Sequence, residues 1–131
     1  MARAWSRLRI WLATAAIALG LATACNTPSV PLPPPLLDAI SFADGGAPGM
    51  VVMQGAPSPR HANVRFYIFN RSRNDGVITG AAADGSFTTS PFAGSEGDLV
   101  QLYFDSPDGE RSQDICTTLQ LSGVLVSSSC P

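Results

Sequence analysis

Lysine is absent from this chain of 131 residues, and all positive side-chain charge comes from eight arginines. Three of the arginines lie in the first nine residues, so residues 25–131 hold five arginines against ten acidic residues, a net charge of −5. Nucleic acids and anionic membrane surfaces attract proteins through clustered cations. The charge balance excludes both as electrostatic partners, and we expect no nucleic-acid partner.

Histidine is almost as scarce, since His61 is the only one. A serine or cysteine nucleophile needs a base that an acid orients, and no serine of the chain lies in a Gly-x-Ser-x-Gly turn. His61 falls in a polar loop, so we expect a solvated side chain without a catalytic role. The prediction is a protein that is not an enzyme and has no cofactor, with a small envelope hydrolase acting through His61 as the least favoured alternative.

The first 24 residues have the pattern of a secretory signal. Arg3, Arg7 and Arg9 form a basic start, and the run from Ile10 to Ala24 has 15 uncharged residues. A membrane-spanning helix needs ~20 apolar residues, whereas this length is typical of the apolar core of a signal peptide. An uncleaved signal anchor is the alternative interpretation.

The run ends in Leu21-Ala22-Thr23-Ala24-Cys25, which resembles the lipobox of bacterial lipoproteins. The resemblance implies that Cys25 becomes the lipidated first residue of an envelope protein anchored in a membrane. An Asp directly after the lipidated cysteine would resemble an inner-membrane retention signal. This chain has Asn26 at that position, so the outer membrane is favoured. Because Ala22-x-Ala24 also suits an ordinary signal peptidase, a secreted soluble protein is the alternative.

The chain has three cysteines, so one of them has no disulfide partner within the chain. In an exported protein such an odd cysteine requires an explanation. If Cys25 takes lipid, Cys116 and Cys130 remain as a pair in an oxidising compartment. A disulfide closing so short a loop would stabilise the fold by roughly 3 kcal/mol. Zinc is disfavoured because the two cysteines have no histidine nearby.

The remaining chain divides into a linker and one domain. Thr27 to Pro35 is rich in proline, so we expect an extended spacer of ~3.1 Å per residue that holds the domain roughly 30 Å from the bilayer. The alternative is that this segment is a ligand for a proline-recognising module. The predicted boundaries are 1–24 for the signal peptide, 25–35 for the lipidated cysteine and linker, and 36–131 for the domain.

Short runs of alternating apolar residues, separated by Gly, Pro, Asn and Asp, predict strands throughout the domain. No amphipathic helix follows the signal. The fold class is therefore predicted as all-β, a small antiparallel β-sandwich of about seven strands. The candidate strands are Leu36–Phe42, Met50–Gln54, Val64–Asn70, Val77–Ala82, Ser86–Ser90, Asp98–Asp105, Ile115–Leu121 and Val124–Val126.

Two Asp-Gly pairs, Asp84-Gly85 and Asp108-Gly109, lie between apolar runs. Glycine accepts positive φ and aspartate tolerates it, so each pair predicts a hairpin reversal. The segment Ala83-Asp84-Gly85-Ser86-Phe87, followed by Glu96-Gly97-Asp98 and an alternating strand, resembles carboxypeptidase regulatory-like and bacterial Ig-like modules. The resemblance implies an Ig-like or transthyretin-like sandwich with Phe87 in its core, and a role in binding, spacing or assembly. The opening Ala62 to Phe66 departs from the Gly-x-Val that is usual in those modules.

Two groups of residues are candidate binding sites. Asp105, Asp108 and Glu110 surround a turn and could offer oxygen ligands to Ca²⁺, with Asp84 or Asp114 as further ligands, although an ordinary hairpin turn is favoured. Tyr67, Phe69 and Tyr103 could form an aromatic platform for a sugar. Cross-strand packing is favoured for them, because both tryptophans of the chain, Trp5 and Trp11, lie in the signal.

These features predict a non-enzymatic envelope lipoprotein. Its sandwich would act as an interaction or structural module for an envelope protein or a cell-wall polymer, and a Ca²⁺- or glycan-binding domain is the alternative.

Overall fold

The computed structural model describes residues 30–131, in which short strands and two 3-10 turns are joined by loops. The 3-10 turns are Leu37–Ala39 and Pro59–His61. The strands are β1 (Ile40–Asp44), β2 (Met50–Gly55), β3 (Arg65–Asn70), β4 (Asp75–Gly80), β5 (Phe87–Thr88), β6 (Phe92–Ala93), β7 (Leu99–Asp105), β8 (Ile115–Thr118) and β9 (Ser127–Ser128).

The strands form two antiparallel sheets that enclose one core. The four-stranded sheet has the order β1-β2-β5, with β6 also pairing to β2, and the five-stranded sheet has the order β4-β3-β7-β8-β9. The prediction of a small all-β antiparallel sandwich is confirmed. The described chain holds nine strands rather than about seven, because three of them have only two residues.

Alternation along β3 and β7 decides which side chains form the core. Val64, Phe66 and Ile68 are buried, as their two-residue period predicts. The register places Phe66 opposite Phe104 and Ile68 opposite Leu102, so inward side chains of the two strands meet in pairs. Phe87 is buried at the same place, with its ring centroid 4.3 Å from that of Phe66. The central strands of the five-stranded sheet are thereby fixed in register, since a slip of one residue would expose this whole face.

The two Asp-Gly pairs differ in what they connect. Asp108-Gly109 lies at the turn of a hairpin. The Ser106 N–H donates to the Glu110 carbonyl, and the backbones of Asp105 and Arg111 form an antiparallel β-bridge. Asp84-Gly85 also turns the chain, with the Ala82 N–H donating to the Ser86 carbonyl. The hairpin predicted there is wrong, because β4 belongs to the five-stranded sheet and β5 to the other sheet.

Several other strand predictions differ from the structure. β4 is Asp75–Gly80 rather than Val77–Ala82, and β5 and β8 are shorter than predicted, at Phe87–Thr88 and Ile115–Thr118. The first strand begins at Ile40 rather than Leu36, because Leu37–Ala39 forms a 3-10 turn. The predictions do not include β6. The terminal strand is Ser127–Ser128 rather than Val124–Val126, because Ser128 lies in register with Cys116 and pairs with β8.

The disulfide between Cys116 and Cys130 is confirmed, with 5.1 Å between the two Cα atoms. It lies beside the β8–β9 pairing and holds the C-terminal edge strand in place. Edge strands at a chain terminus otherwise fray.

The proline-rich segment joins the domain earlier than predicted. Leu32 donates its N–H to the Arg111 carbonyl at 3.2 Å and accepts the Gln113 N–H at 2.9 Å, and Pro35 is buried. The compact unit begins at Pro31 rather than Leu36. The predicted signal peptide and Cys25 lie outside the described residues. Among residues 30–131, none of the helical segments has the length and apolar character to cross a bilayer.

Candidate functional site

The outer face of the five-stranded sheet brings together the three aromatic residues that the sequence suggested for binding, Tyr67, Phe69 and Tyr103. Because Phe66 and Ile68 point into the core, Arg65, Tyr67 and Phe69 lie on the opposite face of β3. The register places Ile78 of β4 and Tyr103 of β7 on either side of Tyr67. We call this surface, formed by Arg65, Tyr67, Phe69, Arg71, Ile78 and Tyr103, the outer strip.

Tyr67 and Tyr103 form a stacked cross-strand pair at the centre of the outer strip. Their ring centroids are 4.8 Å apart and the ring planes differ by 11°. The guanidinium carbon of Arg111 lies 4.3 Å from the Tyr103 centroid and 5.9 Å from that of Tyr67. Arg111 donates from Nε to Asp105 at 3.1 Å, and this hydrogen bond raises the pKa of the guanidinium. The rings are therefore partnered by each other and by a cation that an acid holds in place.

An open apolar groove of about 660 Å³ lies beside the tyrosine pair, between β3 and β4. Ile78 is 61% exposed and Phe69 is 40% exposed. Phe69 lies over Gly76, where a Cβ atom would be 3.2 Å from Phe69 Cδ2 and 2.7 Å from the Ile68 carbonyl oxygen. A side chain at position 76 would thus push Phe69 away, and the glycine keeps the groove open on the β4 side.

Two arginines bracket the apolar part of the outer strip. Arg65 lies at the start of β3 and Arg71 follows its end, and both are exposed. Arg71 Nη1 lies 3.4 Å from Gln101 Oε1. Within residues 30–131 the salt bridges are Arg73–Asp98 and Arg111–Asp105, so neither Arg65 nor Arg71 has an acidic partner there. The outer strip therefore presents apolar side chains between two exposed arginines that make no salt bridge within the described residues, although Asp105 lies opposite Arg65 in the register.

The acidic residues at the Asp108-Gly109 hairpin lie apart from one another. Asp105 accepts from Arg111, while Asp108 and Glu110 are exposed on the hairpin turn. In the part of the chain that the structure describes, His, Cys, Asp and Glu side chains nowhere converge in a group of three suited to a metal ion. The structure thus does not bring Asp105, Asp108 and Glu110 together around a common point.

His61 is not the solvated loop residue that was predicted, since its side chain is fully buried. Its ring packs edge-on against Phe66 and Phe104, at centroid distances of 5.0 and 5.9 Å. Nε2 accepts the Leu36 N–H at 3.1 Å, which leaves the proton on Nδ1, an atom without a partner. Burial lowers the pKa of His61, and the charge of Arg60 lowers it further, against a smaller opposite effect of Asp38. The imidazole is a neutral core group that holds the backbone of Leu36, at the start of the domain, against the core.

Sequence reasoning identified the three aromatic residues but missed the groups around them. Ile78 could have been found, because Val77 and Thr79 alternate with it along β4. Arg111 could not, because only the hairpin after β7 brings it back over Tyr103. Comparison with known proteins gave no match among protein families, curated proteins or solved structures.

Proposed function

We propose that this protein is a non-enzymatic lipoprotein of the bacterial envelope, anchored through Cys25 in the outer membrane, whose sandwich binds a partner protein through the outer strip. The observation that carries the proposal is the exposed apolar groove of Phe69 and Ile78 between Arg65 and Arg71, neither of which makes a salt bridge in the described residues. Exposed apolar surface rimmed by charge is typical of protein interaction sites. The role also agrees with the binding or assembly function that the resemblance to Ig-like modules implies.

The charges of the outer strip define the chemistry of the partner. An apolar ridge would fill the groove, and carboxylates at its two ends would pair with Arg65 and Arg71. Arginine forms bidentate contacts with carboxylates, and such charges direct the orientation of a complex. The expected partner is therefore an envelope protein with an apolar segment flanked by acidic residues.

A cell-wall glycan fits the outer strip less well. Sugars stack on free aromatic faces, whereas Tyr67 and Tyr103 stack on each other. The lining beside them is apolar and offers few side chains that could hydrogen-bond to hydroxyl groups. A glycan partner is retained as an outcome of the test.

The non-enzymatic part of the proposal is supported by His61. Its buried ring uses Nε2 to accept a backbone N–H, so it is not placed to take a proton from a nucleophile or water at the surface.

The anchor is tested by the intact mass of protein purified from the membrane fraction, before and after reduction and thiol labelling. We expect a chain that starts at Cys25 with a diacyl or triacyl adduct, and two thiols that appear only on reduction. An unmodified chain in the soluble fraction would overturn the anchor and support the secreted alternative.

The binding surface is tested by photo-crosslinking in cells, with a photo-reactive amino acid at position 78 and, as a control, at position 41. Ser41 is exposed on β1 of the other sheet. We expect a discrete, protease-sensitive adduct from position 78 only. Arg65→Glu/Arg71→Glu in the same background should abolish the adduct, because reversed charges would repel the acidic partner.

Three outcomes would count against this binding mode. Equal adducts from positions 41 and 78 would remove the outer strip as the site. An adduct that wall-degrading enzymes release would identify a glycan as the partner. A rise in Tm at millimolar Ca²⁺ would support the calcium-binding alternative, by mass action.

A further inference from the structure

Four Asp-Gly pairs lie within residues 30–131, and they begin at Asp44, Asp75, Asp84 and Asp108. In such a pair the backbone can react with the aspartate side chain, because glycine has no Cβ atom to hinder the approach of its nitrogen to the carboxyl carbon. In a folded protein the reaction also requires that the carboxylate and the glycine are free to move together. The four pairs differ in both respects.

Three of the four carboxylates are held by hydrogen bonds. Asp44 and Asp75 each accept a backbone N–H, at 2.6 and 2.8 Å. Asp84 accepts both the N–H and the hydroxyl of Ser86. Asp108 is exposed, and within residues 30–131 its carboxylate takes part in none of the hydrogen bonds of its turn and in no salt bridge. Only the fourth carboxylate is therefore free to turn toward the backbone.

The glycines divide in the same way. A Cβ atom on Gly45, Gly76 or Gly85 would collide with the backbone of another segment, whereas one on Gly109 would meet no atom within 4 Å. The Gly109 N–H donates to the Ser106 carbonyl at 2.9 Å, but Gly45 and Gly85 also donate to a backbone carbonyl, so this bond does not distinguish the turns. Packing and the carboxylate contacts thus both single out Asp108-Gly109.

We propose that Asp108 is a site of spontaneous isomerisation to isoaspartate in the folded protein, and that the fold protects the other three pairs. The Gly109 nitrogen attacks Cγ of Asp108 and closes a five-membered succinimide. One carboxyl oxygen leaves as water, with the carboxyl proton and the N–H proton. Water then adds at the backbone carbonyl carbon and breaks its bond to the Gly109 nitrogen, so the chain continues through Cγ and the α-carboxylate becomes free. Water is the only other reactant, and it is regained in the second step.

The product would change the candidate site, a consequence that rests on the outer strip of the proposed function. Isoaspartate adds one methylene to the backbone of the turn. The turn is closed by the Ser106 N–H on the Glu110 carbonyl and by the bridge between Asp105 and Arg111. A longer turn strains these contacts and moves the Arg111 guanidinium from its position 4.3 Å from the Tyr103 centroid.

Peptide mapping of aged protein tests the site. The disulfide-bonded protein is kept at neutral pH and physiological temperature for several weeks, and isoaspartate at each pair is measured by electron-transfer fragmentation, which distinguishes the two isomers. We expect isoaspartate to form roughly tenfold faster at Asp108 than at Asp44, Asp75 or Asp84, because each of those must first lose a hydrogen bond to a charged group. Similar rates at all four pairs of the folded protein would overturn the inference.

The reduced chain in urea is the control for the contribution of the fold. Without tertiary contacts the four pairs should react at similar rates, and a preference for Asp108 that persists there would assign the effect to local sequence and overturn the inference. Gly109→Ala should slow the reaction at Asp108 severalfold and leave the other pairs unchanged, since the added methyl group hinders ring closure. An unchanged rate at Asp108 in this variant would also overturn it.

The effect on the outer strip is measured separately. The isoaspartate form is purified by ion-exchange chromatography, and its aromatic NMR signals are compared with those of fresh protein. We expect the ring signals of Tyr103 to shift and those of Phe87 in the core to stay. Unchanged Tyr103 signals would overturn the link to the outer strip. These readouts need neither a partner nor a lipid, so they are independent of whether the proposed binding or the anchor fails.

Discussion

The two Asp-Gly turns have nearly the same backbone but different surroundings. Gly85 has φ of 88° and Gly109 has φ of 84°. A Cβ atom on Gly109 would meet no atom within 4 Å, whereas one on Gly85 would collide with the backbone of Ser58. The same dipeptide therefore closes a free hairpin in one place and a crossing between the sheets in the other, where only Gly85 is buried, against Ser58; we call the second the packed turn.

The packed turn also supports a chain of contacts that the free turn lacks. The Ser58 N–H donates to the Asp84 carbonyl at 2.8 Å, and the Ser58 carbonyl accepts the His61 N–H at 3.0 Å. His61 in turn accepts the Leu36 N–H through Nε2. Asp84-Gly85 thus helps to place the histidine that binds the backbone of Leu36. The local chemistry of the Asp-Gly pair thus sets the backbone shape of both turns. The packing around each turn sets how much it contributes to the free energy of unfolding.

The largest effect is expected from Gly85→Ala. Alanine at positive φ is strained, and here its Cβ would also force the backbone of Ser58 to move. We expect a loss of about 3 kcal/mol in the free energy of unfolding, the sum of the two effects. For a domain of this size that corresponds to a fall in Tm of roughly 15 °C. Urea unfolding and thermal melts of the disulfide-bonded protein measure it.

Gly109→Ala is the matched control, since it has the strain of the same φ without a collision. We expect it to lose about 1 kcal/mol. Equal losses for the two variants would show that packing against Ser58 contributes nothing, and the distinction between the turns would fail.

The sequence predicted the faces of the strands well, because alternation is a local property. Phe66 and Ile68 of β3, and Leu102 and Phe104 of β7, are buried as their spacing indicates. The positions of the turns followed for the same reason, since Asp-Gly requires only its own backbone. The disulfide followed from cysteine counting once Cys25 was set aside.

What the sequence could not predict depends on partners distant along the chain. Whether Asp84-Gly85 pairs its flanking strands or separates them depends on Ser58, which is 26 residues earlier. His61 looked solvated because its neighbours are polar, yet its ring fills a space between Phe66 and Phe104. The two-residue strand β6 is too short to carry a periodic signal.

The candidate site was predictable in part. Tyr67 and Tyr103 could be placed on outer faces by alternation, but the register that stacks them required the paired strands. Arg111 reaches the rings only because the Asp108-Gly109 hairpin returns it across Asp105. The free turn at Asp108-Gly109 therefore helps to build the candidate site, whereas the packed turn at Asp84-Gly85 supports the core.

A smaller effect is expected from acid, and it depends on His61 at the end of the buried chain of contacts. Burial lowers the pKa of His61 below its ordinary value of 6.5. Above that value the ring is neutral in both states and stability does not depend on it. As pH falls below it, the unfolded chain binds the proton more readily, so stability falls by up to about 1.4 kcal/mol per pH unit until the folded-state pKa is reached.

Urea unfolding from neutral pH to about pH 5 measures this slope. His61→Gln removes the titrating group, and the part of the slope near neutral pH should vanish in that variant even if its overall stability is lower. The Gly109→Ala protein should keep the slope, because the free turn does not touch His61. A slope that survives in His61→Gln would assign the acid sensitivity to another group.

The smallest expected effect is electrostatic and confined to the exposed side chains of the packed turn. Asp84 Oδ1 accepts from the Ser86 hydroxyl at 2.7 Å and from the Ser86 N–H at 2.9 Å, and these hydrogen bonds lower the pKa of Asp84. A lowered carboxyl pKa means that the ionised form is favoured in the folded state, a preference that is lost as pH falls through that pKa. Ser86→Ala removes the hydroxyl but keeps the N–H, so the pKa of Asp84 should rise part of the way to its ordinary value. An NMR titration of the carboxyl carbon measures the change.

Ser106→Ala at the other turn is the control. There the serine hydroxyl instead accepts the Glu110 N–H, so this variant should leave the pKa of Asp84 unchanged. If both variants shift Asp84 equally, the hydroxyl contact does not set its pKa, and the two turns are alike in this respect.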